Sequence, residues 1–283
     1  MLDFVPVAPN SDSSPLIFKA VHRPFLFRSA FNTMTVTIEK SPYLSMIAKK
    51  RPWQATAVGK GQVTDGSEET LFRALSLRHL ELPVRELLQQ GLNRNLPSTP
   101  GVIEALEHNQ KDEERHDEAL NYVALAHGVD DKSEKEVFNI LKAWQEHPAH
   151  PILKAAILER SIFFVILPFF RFNGDIGMRT VSRDISRDEQ VHVGVHSLVS
   201  RELGEGASES LNKLRRATAM WTFDALGSSS NKWLDKDFWI RQSDNLFEKG
   251  KTDELRESRA SSMPAFFEGA NYDLPSYGTQ SLA

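Results

Sequence analysis

The stretch from His150 to Phe172 constrains the fold most. Apart from Lys154, Glu159, Arg160, Ser161 and Arg171 it is almost wholly apolar, and Glu159 is its only carboxylate. A helix that is apolar on every side has to be surrounded by other elements. Its most apolar run, Ile162–Phe170, is interrupted by Pro168 and closed by Arg171. That is far short of the roughly 20 residues that span a bilayer. We therefore expect this segment at the centre of a helical protein.

The rest of the chain agrees. Gly (15) and Pro (14) fall mostly at the ends and between long periodic segments, and no strand-like alternation or internal repeat stands out. Ser67–Gln90 reads as a helix, with Leu71, Leu75, Leu82 and Leu87/Leu88 among charges. Gly91–Pro100 reads as a turn in which Thr99 caps and Pro100 opens the next helix, which runs to about Gly128. Further helices are expected at Asp131–Glu146, at His150–Phe172, and from the Asn173-Gly174-Asp175 turn to about Leu203. Two more are expected over 208–226 and 232–248. The expected organisation is an irregular segment over 1–50, an all-α domain over 51–248 and a mobile tail over 249–283.

Composition excludes several classes. With 40% hydrophobic and 25% charged residues the chain is of ordinary globular make-up. Zero Cys rules out a disulfide scaffold, thiolate-ligated zinc or iron–sulfur clusters, and a Cys nucleophile in this chain. Lys and Arg (34) do not exceed Asp and Glu (38), so nothing argues for nucleic acid or an anionic membrane as partner. Met1–Asn10 shows no signal-peptide pattern. We expect a soluble, cytoplasmic protein.

The chemistry-bearing feature is a pair of Glu-x-x-His motifs, Glu113–His116 and Glu189–His192, on the second and fifth expected helices. Residues three apart share a helix face, so each pair can reach one metal ion. Glu159 lies 14 residues before Asn173 and Glu189 lies 14 after Asp175. Both are then roughly 21 Å from the turn, side by side. In the first hairpin Glu113 lies about 20 Å from its turn, Glu81 about 15 Å and Glu86 only about 7.5 Å. Glu81 is therefore the better sixth ligand, although Pro83 should disturb its helix locally. The set Glu81, Glu113, His116, Glu159, Glu189 and His192 is the dimetal recipe of ferritin-like bundles. Four carboxylates balance two divalent cations, and the mixed donors suit iron or manganese.

Glu159-Arg-Ser-Ile-Phe-Phe-Val-Ile-Leu-Pro-Phe-Phe-Arg-Phe and Ile185-Ser-Arg-Asp-Glu-Gln-Val-His192 resemble the small subunit of class I ribonucleotide reductase. The resemblance covers roughly residues 50–272. It is specific around Glu159 and in the second and fifth helices, where Phe163 and Ile185 match the apolar lining near the metals. The chain is short for that family. The resemblance implies a proton-coupled electron path in which Asp188 bonds the ligand His116 and a Trp, for which Trp53 is the best match. Trp144, Trp221, Trp233 and Trp239 are expected in packing. It also implies a homodimer and a C-terminal tail that docks on the large subunit and relays the radical through a Tyr. After Phe266-Phe267 that Tyr is Tyr272 or Tyr277.

One position departs from the family. Where many members store the radical on a Tyr four residues after the first metal His, this chain has Leu120. Tyr122 is two residues further on and points off the His116 face. The oxidising equivalent is then expected on the metals, with manganese/iron favoured and diiron or dimanganese as alternatives. Two other functions compete: a free-standing dimetal oxidase or oxygenase on the same bundle, and a non-enzymatic ferritin-like metal store.

Overall fold

A computed structural model of the protein describes residues 41–249. Tyr272, Tyr277, Phe266 and the rest of the expected tail lie outside the described residues, as do positions 1–40. All regular structure among the described residues is helical. The helices are α1 (Pro42–Ile47), α2 (Glu68–Ser76), α3 (Glu81–Leu92), α4 (Val102–His127) and α5 (Asp131–Glu146). They continue with α6 (Pro151–Leu158), α7 (Phe164–Asn173), α8 (Ile176–Glu202), α9 (Glu209–Phe223) and α10 (Lys236–Lys249).

Helices α3, α4, α8 and α6–α7 enclose the interior. α3 packs on α4, α4 on α8, α8 on α6 and α7, and α6 back on α3. Nearly every residue from Pro151 to Arg171 is buried, as the apolar stretch demands. Its one lysine, Lys154, donates to the carbonyls of Trp144, Gln145 and His147 at 3.0, 3.1 and 3.0 Å, satisfying the C-terminal end of α5. The packing tryptophans lie on the outer helices. Trp144 bonds Thr218 Oγ1, Trp221 bonds Glu136, Trp233 stacks on Phe172, and Trp239 sits between Phe169 and Phe223. No helix among the described residues is long and apolar enough to cross a membrane.

Three expectations need correction. The helix read over Ser67–Gln90 is not continuous: a 3₁₀ turn over Leu77–Leu80 separates α2 from α3. Pro83 then falls in the first turn of α3, where its missing N–H costs nothing, while its ring would crowd the carbonyl of His79 in a continuous helix. Second, Thr99 does not cap α4. The N-cap is Gly101 at φ 87°, and Thr99 Oγ1 bonds Glu202 instead. A side chain at Gly101 would meet Leu44 and Ser41 of the α1 region. Third, the segment 1–50 is not irregular throughout, because α1 buries Tyr43 and packs on α4 and α8.

The Asn173–Asp175 turn forms as expected, with Asp175 accepting from Met178 N at 2.8 Å. Asp175 also accepts from Gly61 N at 2.6 Å and pairs with His127 at 2.8 Å. It thereby fastens the non-helical segment before α2 to the bundle. That segment carries Lys50 and Trp53.

Candidate metal centre

α4 supplies Glu113 and His116, and α8 supplies Glu189 and His192. The motif spacing turns each pair inward, and one ligand atom from each of the four lies within 4.8 Å of the others. Glu81 is the first residue of α3. Glu159 is the first residue of a π-helical turn, Glu159–Phe163, between α6 and α7. None of the six exceeds 1% exposure.

The centre has two halves. His116 Nδ1 lies 3.2 Å from Glu189 Oε1, 3.7 Å from Glu113 Oε2 and 4.0 Å from Glu81 Oε2. His192 Nδ1 lies 2.8 Å from Glu113 Oε1, 3.6 Å from Glu189 Oε1 and 3.7 Å from Glu159 Oε1. Glu113 and Glu189 face both halves, whereas Glu81 belongs to the His116 half and Glu159 to the His192 half. Both oxygens of Glu81, Glu113 and Glu189, Glu159 Oε1 and Nδ1 of both histidines are buried with no aligned hydrogen-bond partner. Buried polar atoms without partners are costly. So many converging on one space is the signature of a cation site, and the donors fit.

Charge tells the same story. Burial, then the neighbouring Glu113, pushes the Glu81 carboxyl well above its usual range. Burial, then Glu189, does the same to Glu159. Burial would raise Glu113 too, but His192 and His116 outweigh it and hold it low. Burial disfavours a charged His116, yet Asp188, Glu113 and Glu189 raise it well above an ordinary imidazole. Four carboxylates share one buried space with too little positive charge, a deficit that a bound cation would offset.

Each ligand histidine turns its Nε2 to an aspartate. His116 Nε2 is 3.4 Å from Asp188 Oδ2 and His192 Nε2 is 3.2 Å from Asp112 Oδ2. The supports cross over: α8 holds the histidine of α4, and α4 holds that of α8. Asp188 also accepts from Trp53 Nε1 at 2.7 Å and from Arg115 at 2.9 Å, and the Arg115 guanidinium lies 4.8 Å over the Trp53 ring. Arg115 reaches Asp112 as well, and Lys50 pairs with Asp112 from the other side.

The structure therefore brings together all six expected ligands, Asp188 and Trp53. Phe163 and Ile185 are buried at 2% and 0%. Leu120 is buried one turn beyond His116, and the Tyr122 hydroxyl bonds Glu118 Oε1 on the exposed side of α4 at 3.1 Å. Asp112, which supports His192, and its partner Lys50 were missed. The signal for Asp112 was present: both motifs read Asp-Glu-x-x-His, at 112–116 and at 188–192.

No family model, curated protein or solved structure matches the chain.

Proposed function

We propose that this chain is the radical-generating small subunit of class I ribonucleotide reductase, on a ferritin-like bundle. The observation that carries the reading is the run Trp53–Asp188–His116. It joins the buried carboxylate–histidine cluster to an indole that is only partly buried. Trp53 lines an open depression of about 450 Å³ with Lys111, Glu114, Arg115 and Glu118. A metal store or a self-contained oxidase needs no such connection.

The residues divide the work. Glu81, Glu113, His116, Glu159, Glu189 and His192 would hold two ions, manganese and iron by preference, with diiron or dimanganese as alternatives. Once bound, and oxidised by oxygen or a reduced oxygen species, the pair would supply a one-electron oxidant. Asp188 keeps the Nε2 proton of His116 and the indole N–H of Trp53 on one carboxylate oxygen, giving proton and electron a common route. Arg115 donates to that carboxylate and lies against the indole face. Leu120 offers no oxidisable side chain beside the cluster, so no storage Tyr would take the oxidising equivalent from it. The partner is the large subunit, whose thiols do the nucleotide chemistry that a chain with 0 Cys does not. A homodimer docking through the tail with Tyr272 or Tyr277, in the cytoplasm, completes the proposal.

The test is reconstitution. The full chain, loaded with manganese and iron and exposed to oxygen, is mixed with a class I large subunit, ribonucleotides and a dithiol reductant. Deoxyribonucleotide formation should require both chains and stop in Trp53→Phe. Turnover of an organic substrate with oxygen by this chain alone, and no nucleotide reduction, would favour the free-standing oxidase.

A further inference from the structure

One buried histidine has no part in the reading above. His196 lies on α8 one turn past His192 and is fully buried. Its Nδ1 is 2.6 Å from Glu159 Oε2, and its Nε2 is 3.1 Å from Asn109 Nδ2. Asn109 Oδ1 accepts from Lys50 Nζ at 2.8 Å. These contacts fix each proton in the chain. An ammonium only donates, so Asn109 must turn its oxygen to Lys50 and its NH₂ to His196. His196 Nε2 must then accept, which leaves the proton of the neutral ring on Nδ1, aimed at Glu159. An imidazolium would set one N–H against another at Asn109.

The two unshared carboxylates therefore differ. Glu81 has both oxygens free of hydrogen bonds, whereas Glu159 has only Oε1. We propose that Lys50, Asn109 and His196 form a clamp that reserves one oxygen of Glu159. Glu159 then offers a single donor atom, and the Glu159–His192 half of the centre is the weaker half, filled second. Fewer anionic oxygens hold a hard cation less tightly, and a ligand position is left for an incoming oxidant. Lys50 also pairs with Asp112, the support of His192, so one lysine sets both ligands peculiar to this half. His196 is a positioning residue in this account. The inference rests on the two-metal part of the proposed function and not on ribonucleotide reduction.

Stepwise Mn²⁺ binding to the full chain, followed by the paramagnetic resonance of the free ion, tests it. The wild type should take two ions per chain in separate steps. His196→Leu should tighten the second step by roughly tenfold, a common size for changes just outside the ligands, and leave the first unchanged. His196→Asn, which returns an N–H near the position of Nδ1, should restore the wild-type spacing. Asn109→Ala should move the same step in the same direction as His196→Leu, and carries the test if that variant does not fold. A second step that weakens or stays put would overturn the clamp, because simple support of Glu159 predicts weakening. A wild type that takes no Mn²⁺ would overturn the two-metal reading with it.

Discussion

Asp188 carries more contacts than a structural carboxylate needs. One oxygen serves Trp53, Arg115 and the metal-side histidine. Asp188→Asn keeps the shape but removes the charge that orients His116. We predict that it still binds two ions per chain at saturating metal, with nucleotide reduction lowered at least about a hundredfold; unchanged turnover would remove Asp188 from the path. Leu120 and Tyr122 give a second prediction. The Tyr122 hydroxyl is on the outer side of α4 with Glu118, and buried Tyr43 lies by Glu202, near the far end of α8. Active protein should therefore show a high-valent metal signal without a stable tyrosyl radical, and Tyr122→Phe should stay active. A sharp organic radical lost in Tyr122→Phe would contradict this. The convergence of the six side chains was legible because the Glu-x-x-His spacing and helical rise set faces and heights along two hairpins, and Glu159 was conspicuous as the lone carboxylate of an apolar stretch. Asn109 and His196 were not, since a buried Asn and a third histidine on one face read from sequence as core polar residues.

Glu81 and Glu159 both stand at breaks in the α-helical run. Glu81 follows the 3₁₀ turn Leu77–Leu80, and Glu159 opens the π turn. Both breaks were only partly legible: Pro83 marked the first, while the second has no sequence signal beyond Pro168 further along. π turns recur at functional positions because they re-aim one side chain without ending the helix. The 3₁₀ turn is anchored by Glu134 of α5, which binds Arg78 at 2.7 Å, His79 at 2.6 Å and Ser76 at 2.8 Å. Burial alone would raise Glu134, but hydrogen bonds from Arg78, His79 and Ser76 outweigh it and hold its pKa at about 2. A depressed folded pKa contributes stability above the unfolded value and loses it as pH falls through the folded one. Glu134→Gln should thus cost on the order of 1–2 kcal/mol at pH 7. The difference from wild type should shrink between about pH 4.5 and 2. Urea melts at neutral and acid pH measure it; a constant difference would contradict the assignment. Gly91 gives a further check. A Cβ there would clash with the Ile152 side chain, so the glycine allows α3 to lie close on α6. Gly91→Val should destabilise by roughly 1–3 kcal/mol in the same melts.

Among the described residues, α3, α4, α8 and α6–α7 form a packed interior with outer helices against it, and the segment before α2 brings Lys50 to Asp112 and Trp53 to Asp188. The helical class was legible from the apolar segment and the absence of alternation. The position of the Lys50–Trp53 segment was not, because it depends on partners remote in sequence: Lys50 meets Asp112, Trp53 meets Asp188 and Gly61 meets Asp175. Deleting residues 264–283 should leave two ions bound per chain and abolish binding to the large subunit, measured by pull-down with the full chain as control. Unchanged binding would place the docking surface elsewhere. All of this depends on the cluster holding two ions. Anomalous diffraction at the manganese and iron edges, from crystals grown with both metals, tests that most directly. Two peaks per chain are expected, one beside Glu81 and His116 and one beside Glu159 and His192, with Glu113 and Glu189 between them. A single peak, or none among these six side chains, would contradict it.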